Sequence, residues 1–436
     1  MLEKDHESKQ ENFFLVDVNN MYTSVETAFD PSLTGRSVIV LSSNDGNVVA
    51  RSPAAKKLGI KMGEPLFQIL DLVMRNDVIV LSSNYIIYGE MSRRFHKILA
   101  EYVSPENHEI YSVDEAFLEL TSYRGIYNLN QCAQDIKEKL LKLLSLPVCV
   151  GIGRSKTEAK IMNYIAKTYP HLNGICNVFD LAEVKDSIFR NTDVGEVWGV
   201  GSQQKKKLRL MNINTVYDLM TASPSHIQSV FSVVLKRTVL ELNGISCIDI
   251  EHTPPTKKQI VSSRTFGQRI TDIHDLKEAV IKRTQEAFTR ARNEQVLVGC
   301  IIVFAYSNPF DKTKPFYKKE QSSSFAVPTD DLRLLVQTAT RLMDQVYKSG
   351  IEFKKAGVIL TCLEPKHTYT YDLLTDHQDL EKTEQLMKAI EEVQQIFGKN
   401  KIGFGGSMFK NRIWNLTANY QTRNYFSFDG MIKIKN

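Results

Sequence analysis

A chain of 436 residues is longer than one hydrophobic core ordinarily organises, and about two to four domains are expected. Its 42% hydrophobic and 24% charged residues describe a globular protein, and 55 Lys+Arg against 50 Asp+Glu leaves +5, a balance that permits a nucleic-acid partner without demanding one. The six cysteines lie far apart with no CxxC pair, which argues against a zinc site or a disulfide framework and for a reducing cytosol. The charged start, MLEKDHESKQ, has no apolar signal core. The most continuous apolar run, Val296 to Ala305, is half a membrane span and reads as a buried strand. A cytoplasmic protein without a membrane partner is expected.

In chain order, Phe13–Val18 is a β-rich run that ends in Asp17-Val18-Asn19-Asn20, after which a helix begins. Ser37–Leu41 and Val78–Leu81 read as further strands. Tyr85–Val103 carries Ile87, Met91, Phe95, Ile98 and Tyr102 at three- and four-residue steps, an amphipathic helix. His108–Leu120 reads as two short strands interrupted by Asp114-Glu115. Leu129–Leu146 is a helix stopped by Pro147, Val148–Gly153 a strand, and Lys156–Tyr169 a helix. The order β-α-β-β-α-β is the split, ferredoxin-like plan, with a small unit inserted near residues 21–84. Short helices and glycine turns follow from about 180 to Gly244. Residues 249–262, with Pro254-Pro255, read as a linker. A second α/β unit covers 263–365, with helices at 275–293 and 330–349 and strands near 296–306 and 356–362. Beyond it lie a charged helix, Leu380–Phe397, and a Gly-rich, aromatic tail.

Asp17 follows directly on one strand, and Asp114-Glu115 interrupt another. In the split plan the first and third strands are neighbours, so these carboxylates can meet at one sheet edge. Phosphoryl transfer to a hydroxyl needs charge neutralised on both the attacking and the leaving oxygen, which two Mg²⁺ ions roughly 3.5–4 Å apart supply. Taken singly, an Asp after a strand is usually a turn residue or helix cap, and adjacent acids in a hairpin are usually solvated.

Several segments carry a family resemblance. Asp17-Val-Asn-Asn-Met-Tyr-Thr-Ser-Val-Glu26 and Tyr111-Ser-Val-Asp-Glu-Ala-Phe117 resemble the two acidic motifs of Y-family DNA polymerases. Val150-Gly-Ile-Gly-Arg-Ser-Lys-Thr-Glu-Ala-Lys160, running on to Ala166-Lys167, resembles the block that follows them. Asn44–Arg51, Lys61-Met-Gly63 and Ser263-Arg-Thr-Phe-Gly267 resemble the UmuC branch, the catalytic subunit of DNA polymerase V, more than the polymerase IV branch.

The resemblance implies an α+β multidomain, right-hand polymerase. Its parts would be a ferredoxin-like palm (11–20 and 85–178), small fingers (21–84) and a helical helix-hairpin-helix thumb (179–248). A linker (249–262), an α/β little finger (263–365) and a C-terminal extension (366–436) would complete it. It further implies template-directed, low-fidelity translesion synthesis without proofreading, in an SOS-type response to DNA damage. Asp17 and Asp114 would bridge two Mg²⁺ ions, Glu115 would complete the site, and Val18 would lend its backbone carbonyl. Tyr22 takes the steric-gate position, where an aromatic face leaves no room for a 2′-hydroxyl. Lys56 and Lys167 fall where the family binds the triphosphate, with Arg51 a further contact in the fingers. Pro53 stands where many polymerase IV relatives have a tyrosine on the triphosphate.

Val197-Trp-Gly-Val-Gly201 and the basic run after it resemble the thumb hairpin. Gly199 and Gly201 would let the backbone approach a DNA phosphate, with Lys205, Lys206, Lys207 and Arg209 adding charge. In the little finger Arg264, with Lys257, Lys258, Arg269, Lys312, Lys314, Lys318 and Lys319, would contact the backbone of primer-template DNA. The dNTPs are the second substrate. Thr370-Tyr-Asp-Leu-Leu374 matches the place where UmuC relatives carry a sliding-clamp peptide, with Leu373 and Leu374 as its apolar pair. A recombinase filament or UmuD-like accessory subunit is a further possible partner. Two other readings share some of these features. A palm-type nucleotidyl cyclase needs neither thumb nor basic second unit, and an inactive DNA-binding paralogue would not be expected to keep all three acids.

Overall fold

The structure is a computed structural model that describes residues 11–123, 125–126, 128–251, 257–370, 377–398 and 417–427. Its strands are β1 (Phe13–Val18), β2 (Val38–Leu41), β3 (Val48–Arg51), β4 (Ile79–Ser82), β5 (His108–Ile110), β6 (Glu115–Glu119), β7 (Val148–Gly153), β8 (Ile175–Asn177), β9 (Gln259–Ile270), β10 (Val296–Tyr306), β11 (Lys318–Thr329) and β12 (Phe353–Pro365). Two compact units share them: residues 1–253 with 418–436, and 254–417.

In the first unit a five-stranded sheet runs β5-β6-β1-β7-β8. Without β8 this is the ferredoxin-like order, with the first and third strands of the plan, β1 and β6, antiparallel neighbours. β1 is buried on both faces, and alternation sends its side chains to different cores. Phe14, Val16 and Val18 meet Ile87, Met91 and Phe95 of the helix Tyr85–Leu99 and Ile136 and Leu140 of the helix Leu129–Leu144. Phe13 and Leu15 face the other way, onto Phe117 and Ala159. The second helix stops at Leu144, where Ser145 adopts a left-handed conformation at φ 55°. The first stops at Leu99, three-residue turns carrying the chain on to Tyr102 and Val103.

The helix Lys156–Thr168 covers that second face at backbone contact distance. A Cβ on Gly151 would lie 2.1 Å from the Ala159 carbonyl oxygen, and one on Gly153 would lie 2.4 Å from the Ala159 nitrogen. The two glycines therefore exist so that helix and strand can touch. The helix's far side, through Ile161, Met162 and Ile165, enters a third core with Phe189, Leu208, Leu219, Leu235 and Val239 of the short helices that follow. Glu241, fully buried, ties that helical region back by accepting from the Thr157 N–H at 3.0 Å and the Thr157 hydroxyl at 2.5 Å.

Between β1 and the helix Tyr85–Leu99 lies the inserted unit, a three-stranded sheet in the order β3-β2-β4. The chain also returns to it from the far end. The Ser82 N–H donates to the Tyr420 carbonyl at 3.0 Å, the Asn84 amide reaches the Thr422 carbonyl at 3.0 Å, and Phe29 stacks on Tyr425 at 4.6 Å. Residues 418–427 thus belong with the first unit rather than with the extension expected from 366 onward.

The second unit is a four-stranded antiparallel sheet, β11-β10-β12-β9, with the helices Ile273–Asn293 and Leu332–Val346 over one face. Its β9 begins inside the stretch expected to be linker. The start of that stretch is held by the first unit, where the buried Lys156–Glu109 ion pair takes the Asp249 carbonyl and the Glu251 N–H at 2.7 Å each. The sequence pattern does not mark β9 and β11, because both are half-solvated strands whose outer-face polar residues (Gln259, Ser263, Thr265; Lys318, Glu320, Ser322) dilute the apolar signal. The helix His377–Phe397 docks through Met387, with Arg292 bonded to Glu384 and Glu391. Leu373 and Leu374 lie outside the described residues. All six cysteines are free thiols. Among the described residues no helix is long and apolar enough to cross a membrane.

Two predictions follow from packing around the first sheet. Gly151→Ala forces a methyl into helix backbone, and overpacking of this kind costs about 1–3 kcal/mol or more. The urea midpoint should fall accordingly, whereas Gly89→Ala, with open space around it, should not destabilise. His96, buried at the end of its helix, holds the Ser112 carbonyl through Nε2 at 2.9 Å. Burial chiefly, opposed by that bond and assisted by nearby His108, pushes its pKa down from 6.5 to about 4. The neutral ring folds in, so the unfolded chain binds the extra proton. Stability should be intact above pH 6.5 and fall by as much as roughly 3 kcal/mol as pH drops through 4. Urea melts at pH 7 and 5 should show this loss, and His96→Gln should lessen it.

Candidate active site

Asp17 is the fifth residue of β1 and pairs directly across from Glu115, the first of β6. Asp114 stands one residue earlier, at the end of the turn 111–114, and its carbonyl accepts the Val18 N–H at 2.9 Å. One register thus brings all three carboxylates and Val18 to one end of the sheet. Alternation puts Asp17 and Glu115 on the face of Leu15 and Phe117, which the helix Lys156–Thr168 covers.

That helix supplies two ammonium groups. Lys167 reaches Asp17 Oδ2 at 2.6 Å, and Lys160 reaches Glu115 Oε1 at 2.9 Å. Asp114 is held differently. Its Oδ1 accepts from the Ser112 hydroxyl at 2.6 Å, while that hydroxyl's oxygen takes the N–H groups of Asp114 and Glu115 at 3.2 and 3.1 Å. The cluster is electrostatically tense. Burial first, with Glu115 and Asp114 adding repulsion, outweighs the pull of Lys167 and raises Asp17 from 3.8 to about 6.

Among the described residues no three acidic, imidazole or thiol side chains already converge on a single point as a finished metal cage would. The donor set still suits magnesium, which takes hard oxygens and commonly one or two carboxylates together with substrate phosphates. A buried carboxylate repelled by two others is an environment that an added cation relieves.

Tyr22 is the second residue of the helix Met21–Phe29, whose N-cap, Asn20, is in a left-handed conformation at φ 51°. Its ring lies parallel to Tyr88 with centroids 4.3 Å apart, a contact worth about 0.5–1.5 kcal/mol beyond burial. It is also close enough to Asp114 to feel that charge. Lys56, in the helix Pro53–Lys57, lines an open cleft of 1360 Å³ together with Lys167, Asn19, Ser24 and Pro53. Burial, then the charges of Arg51 and Lys167, push its ammonium below the usual lysine range. Arg51 itself donates to the Ile60 carbonyl at 2.7 Å, inside the inserted unit.

In the helical region Gly199 sits at φ +88°, a conformation that calls for glycine, whereas Gly201 has an ordinary φ of −74° and open space about it. Part of the basic run is already engaged. Lys205 and Arg209 both bind Asp193, at 2.7 and 2.6 Å, and Lys207 donates to the Val230 carbonyl at 2.6 Å. Lys206 is exposed. In the second unit Arg264 is half-buried on β9, opposite Ala356.

Lys160 closes the block Val150–Lys160, and the motif by itself does not mark it as a functional residue. It lies over the Tyr111 ring at 4.2 Å and within 5.4 Å of Trp198, whose indole N–H donates to the Tyr111 hydroxyl at 3.1 Å. Its spacing seven residues before Lys167, two helical turns on one face, was the available signal.

Two family profiles match the chain: the impB/mucB/samB family over residues 16–164, and the C-terminal domain of that family over residues 257–373. The protein MucB of Salmonella typhimurium is 37% identical over 92% of this chain and 94% of its own length. UmuC of Salmonella typhimurium strain LT2 is 35% identical over 97% of this chain and all of its own length. DNA polymerase IV of Bacillus velezensis is 24% identical over 91% of this chain and 93% of its own length. Among solved structures, a Y-family DNA polymerase chimera built on Dbh superimposes with a TM-score of 0.65 at 20% identity, covering 81% of this chain and 99% of the chimera. An insertion ternary complex of Dbh DNA polymerase gives 0.52 at 20% identity, covering 80% and 98%. The fold is therefore the right-hand polymerase fold, and the chain belongs to the impB/mucB/samB family, within the UmuC branch of the Y-family DNA polymerases.

Proposed function

We propose that this chain extends a DNA primer on a template by transferring nucleotides from dNTPs to the primer 3′-hydroxyl, and that Asp17, Asp114 and Glu115 hold two Mg²⁺ ions for the purpose. The observation that carries this reading is the gathering of three carboxylates at the end of β1 and β6, in a chain of this family. Such ions, when bound, neutralise charge on the attacking and leaving oxygens. Asp17 and Asp114 would hold both ions, Glu115 would complete the site for one of them, and the Val18 carbonyl would be a further ligand.

The lysines give the site two states. Without substrate, Lys167 neutralises Asp17 and Lys160 neutralises Glu115. When a triphosphate enters, Lys167 leaves Asp17 for the phosphate oxygens. Lys56, on the same cleft, joins it, with Arg51 behind. Cations fixed along the triphosphate align the reacting phosphate and stabilise transition-state charge. The flat face of Tyr22 excludes a 2′-hydroxyl and so selects deoxyribonucleotides.

DNA is held elsewhere, through the backbone around Gly199 and Gly201, through Lys206 with Lys205 and Lys207 once they exchange their internal partners, and through Arg264 on β9. Palm, fingers and thumb follow the ranges given above, while the little finger takes in β9 from Gln259 and residues 418–427 join the first unit. The family resemblance supports the finer reading: lesion bypass at low fidelity without proofreading, in an SOS-type response. It also supports a sliding clamp bound through Leu373 and Leu374, and a recombinase filament or UmuD-like subunit as partner.

Asp17→Ala and Glu115→Ala should each abolish Mg²⁺-dependent primer extension while primer-template affinity stays within about twofold, since phosphate contacts hold the DNA. Gel extension and fluorescence anisotropy measure the two, and near-normal extension by either variant refutes the metal assignment. Tyr22→Ala should raise ribonucleotide insertion by about two orders of magnitude with a much smaller loss of deoxyribonucleotide insertion. Single-nucleotide kinetics test this, and unchanged sugar discrimination in a folded variant would place the gate elsewhere.

A further inference from the structure

Tyr22 is backed by a second ring that neither acidic motif contains. Tyr88 lies flat against it, planes 11° apart, and Tyr85 closes edge-on against both rings at 6.1 and 6.2 Å. Tyr88 is 1% exposed and fixed at its far end, where its hydroxyl donates to Glu26 Oε1 at 2.6 Å. Glu26 is itself 1% exposed. It sits four residues beyond Tyr22 on the same helix, so both side chains project from one face. The returning C-terminal segment locks this arrangement. The Thr422 hydroxyl donates to Glu26 Oε1 at 3.3 Å, and Tyr425 and Phe426 pack on Phe29 at the end of the helix. Arg94, on the helix that carries Tyr88, lies 4.6 Å over Phe426.

Selection by exclusion requires a stiff wall. A ring that recoils by a fraction of an ångström admits the larger sugar at little cost, whereas one pressed against an immobile partner transmits the whole clash. Tyr22 has that partner, and Tyr88 is too deeply buried to touch a nucleotide itself.

We infer that Tyr88, seated on Glu26, is a positioning residue for sugar selection, acting only through the ring of Tyr22. This rests on the reading of Tyr22 as the gate. A residue that merely stabilised the fold would change insertion of both nucleotide classes together; a support for the gate changes their ratio.

The test compares kcat/KM for ribonucleotide and deoxyribonucleotide insertion opposite one template base, in the full-length chain, with folding checked by circular dichroism. Tyr88→Leu should raise the ribonucleotide-to-deoxyribonucleotide ratio roughly five- to tenfold, the equivalent of one lost stacked pair. Tyr88→Met keeps more of the volume without the flat face and carries the same expectation should the leucine variant fail to fold. Tyr88→Phe, which retains the ring, should stay within about twofold of the parent, and Tyr22→Ala/Tyr88→Leu should be no more permissive than Tyr22→Ala alone. If Tyr22→Ala relaxes selection and the Tyr88 variants do not, or if the double variant is additive, the inference falls and the gate stands. If Tyr22→Ala itself leaves the ratio unchanged, the gate reading falls and takes this inference with it.

Discussion

The register of β1 against its two neighbours is the constraint on which the acidic end of the first sheet depends. Asp17 lies opposite Glu115 on one side and Cys149 on the other. Because strand side chains alternate, a slip of one residue would turn Asp17 into the apolar core and bring Val16 or Val18 to the helix-covered face. The apolar residues forbid that slip. Phe14, Val16 and Val18 fill one core, and Phe13 and Leu15 fill another. Burial of ordinary hydrophobic side chains thus holds acids of like charge next to one another, an arrangement that electrostatics alone would disperse.

What makes the cluster tolerable is the helix Lys156–Thr168. Gly151 and Gly153 let its backbone rest on β7, and this closeness decides where its side chains reach. Lys160 and Lys167 arrive at Glu115 and Asp17 as fixed counter-ions. Under the proposed function these ammonium groups occupy the carboxylates until metal and triphosphate replace them. The tension recorded in the raised Asp17 pKa would then favour loading, since an incoming cation relieves repulsion that the lysines only partly offset.

A second network runs through the other end of β1's connection. Tyr22, Tyr88 and Glu26 form a stack and tether within one buried corner, and residues from near the C-terminus fasten it. Segments almost four hundred positions apart in sequence, Glu26 and Thr422, share a carboxylate oxygen. Sheet end and aromatic corner flank the same stretch, Asn19 to Tyr22, so the proposed metal ligands and the proposed gate are placed by adjoining but separate sets of contacts.

Much of this was legible in the amino-acid sequence, for reasons that are local. Phe13–Val18 and Val148–Gly153 are apolar runs bounded by polar or glycine residues and are strands to the residue. The element order fixed the neighbours of β1 because few topologies satisfy split βαβ chirality. The acids stood out because they terminate apolar strands, and ordered motifs tied them to a family. Other features needed the folded chain. The strands β9 and β11 alternate so thinly that only pairing with β12 and β10 defines them. The ion pairs of Lys205 and Arg209 with Asp193 join residues that periodicity cannot relate. Nothing local distinguishes Tyr88 from any other aromatic on a helix face, or the Thr422–Phe426 stretch from an ordinary tail. Side-chain chemistry and spacing along one element are written in the sequence. Which distant surfaces meet is decided by the packing of all the elements at once.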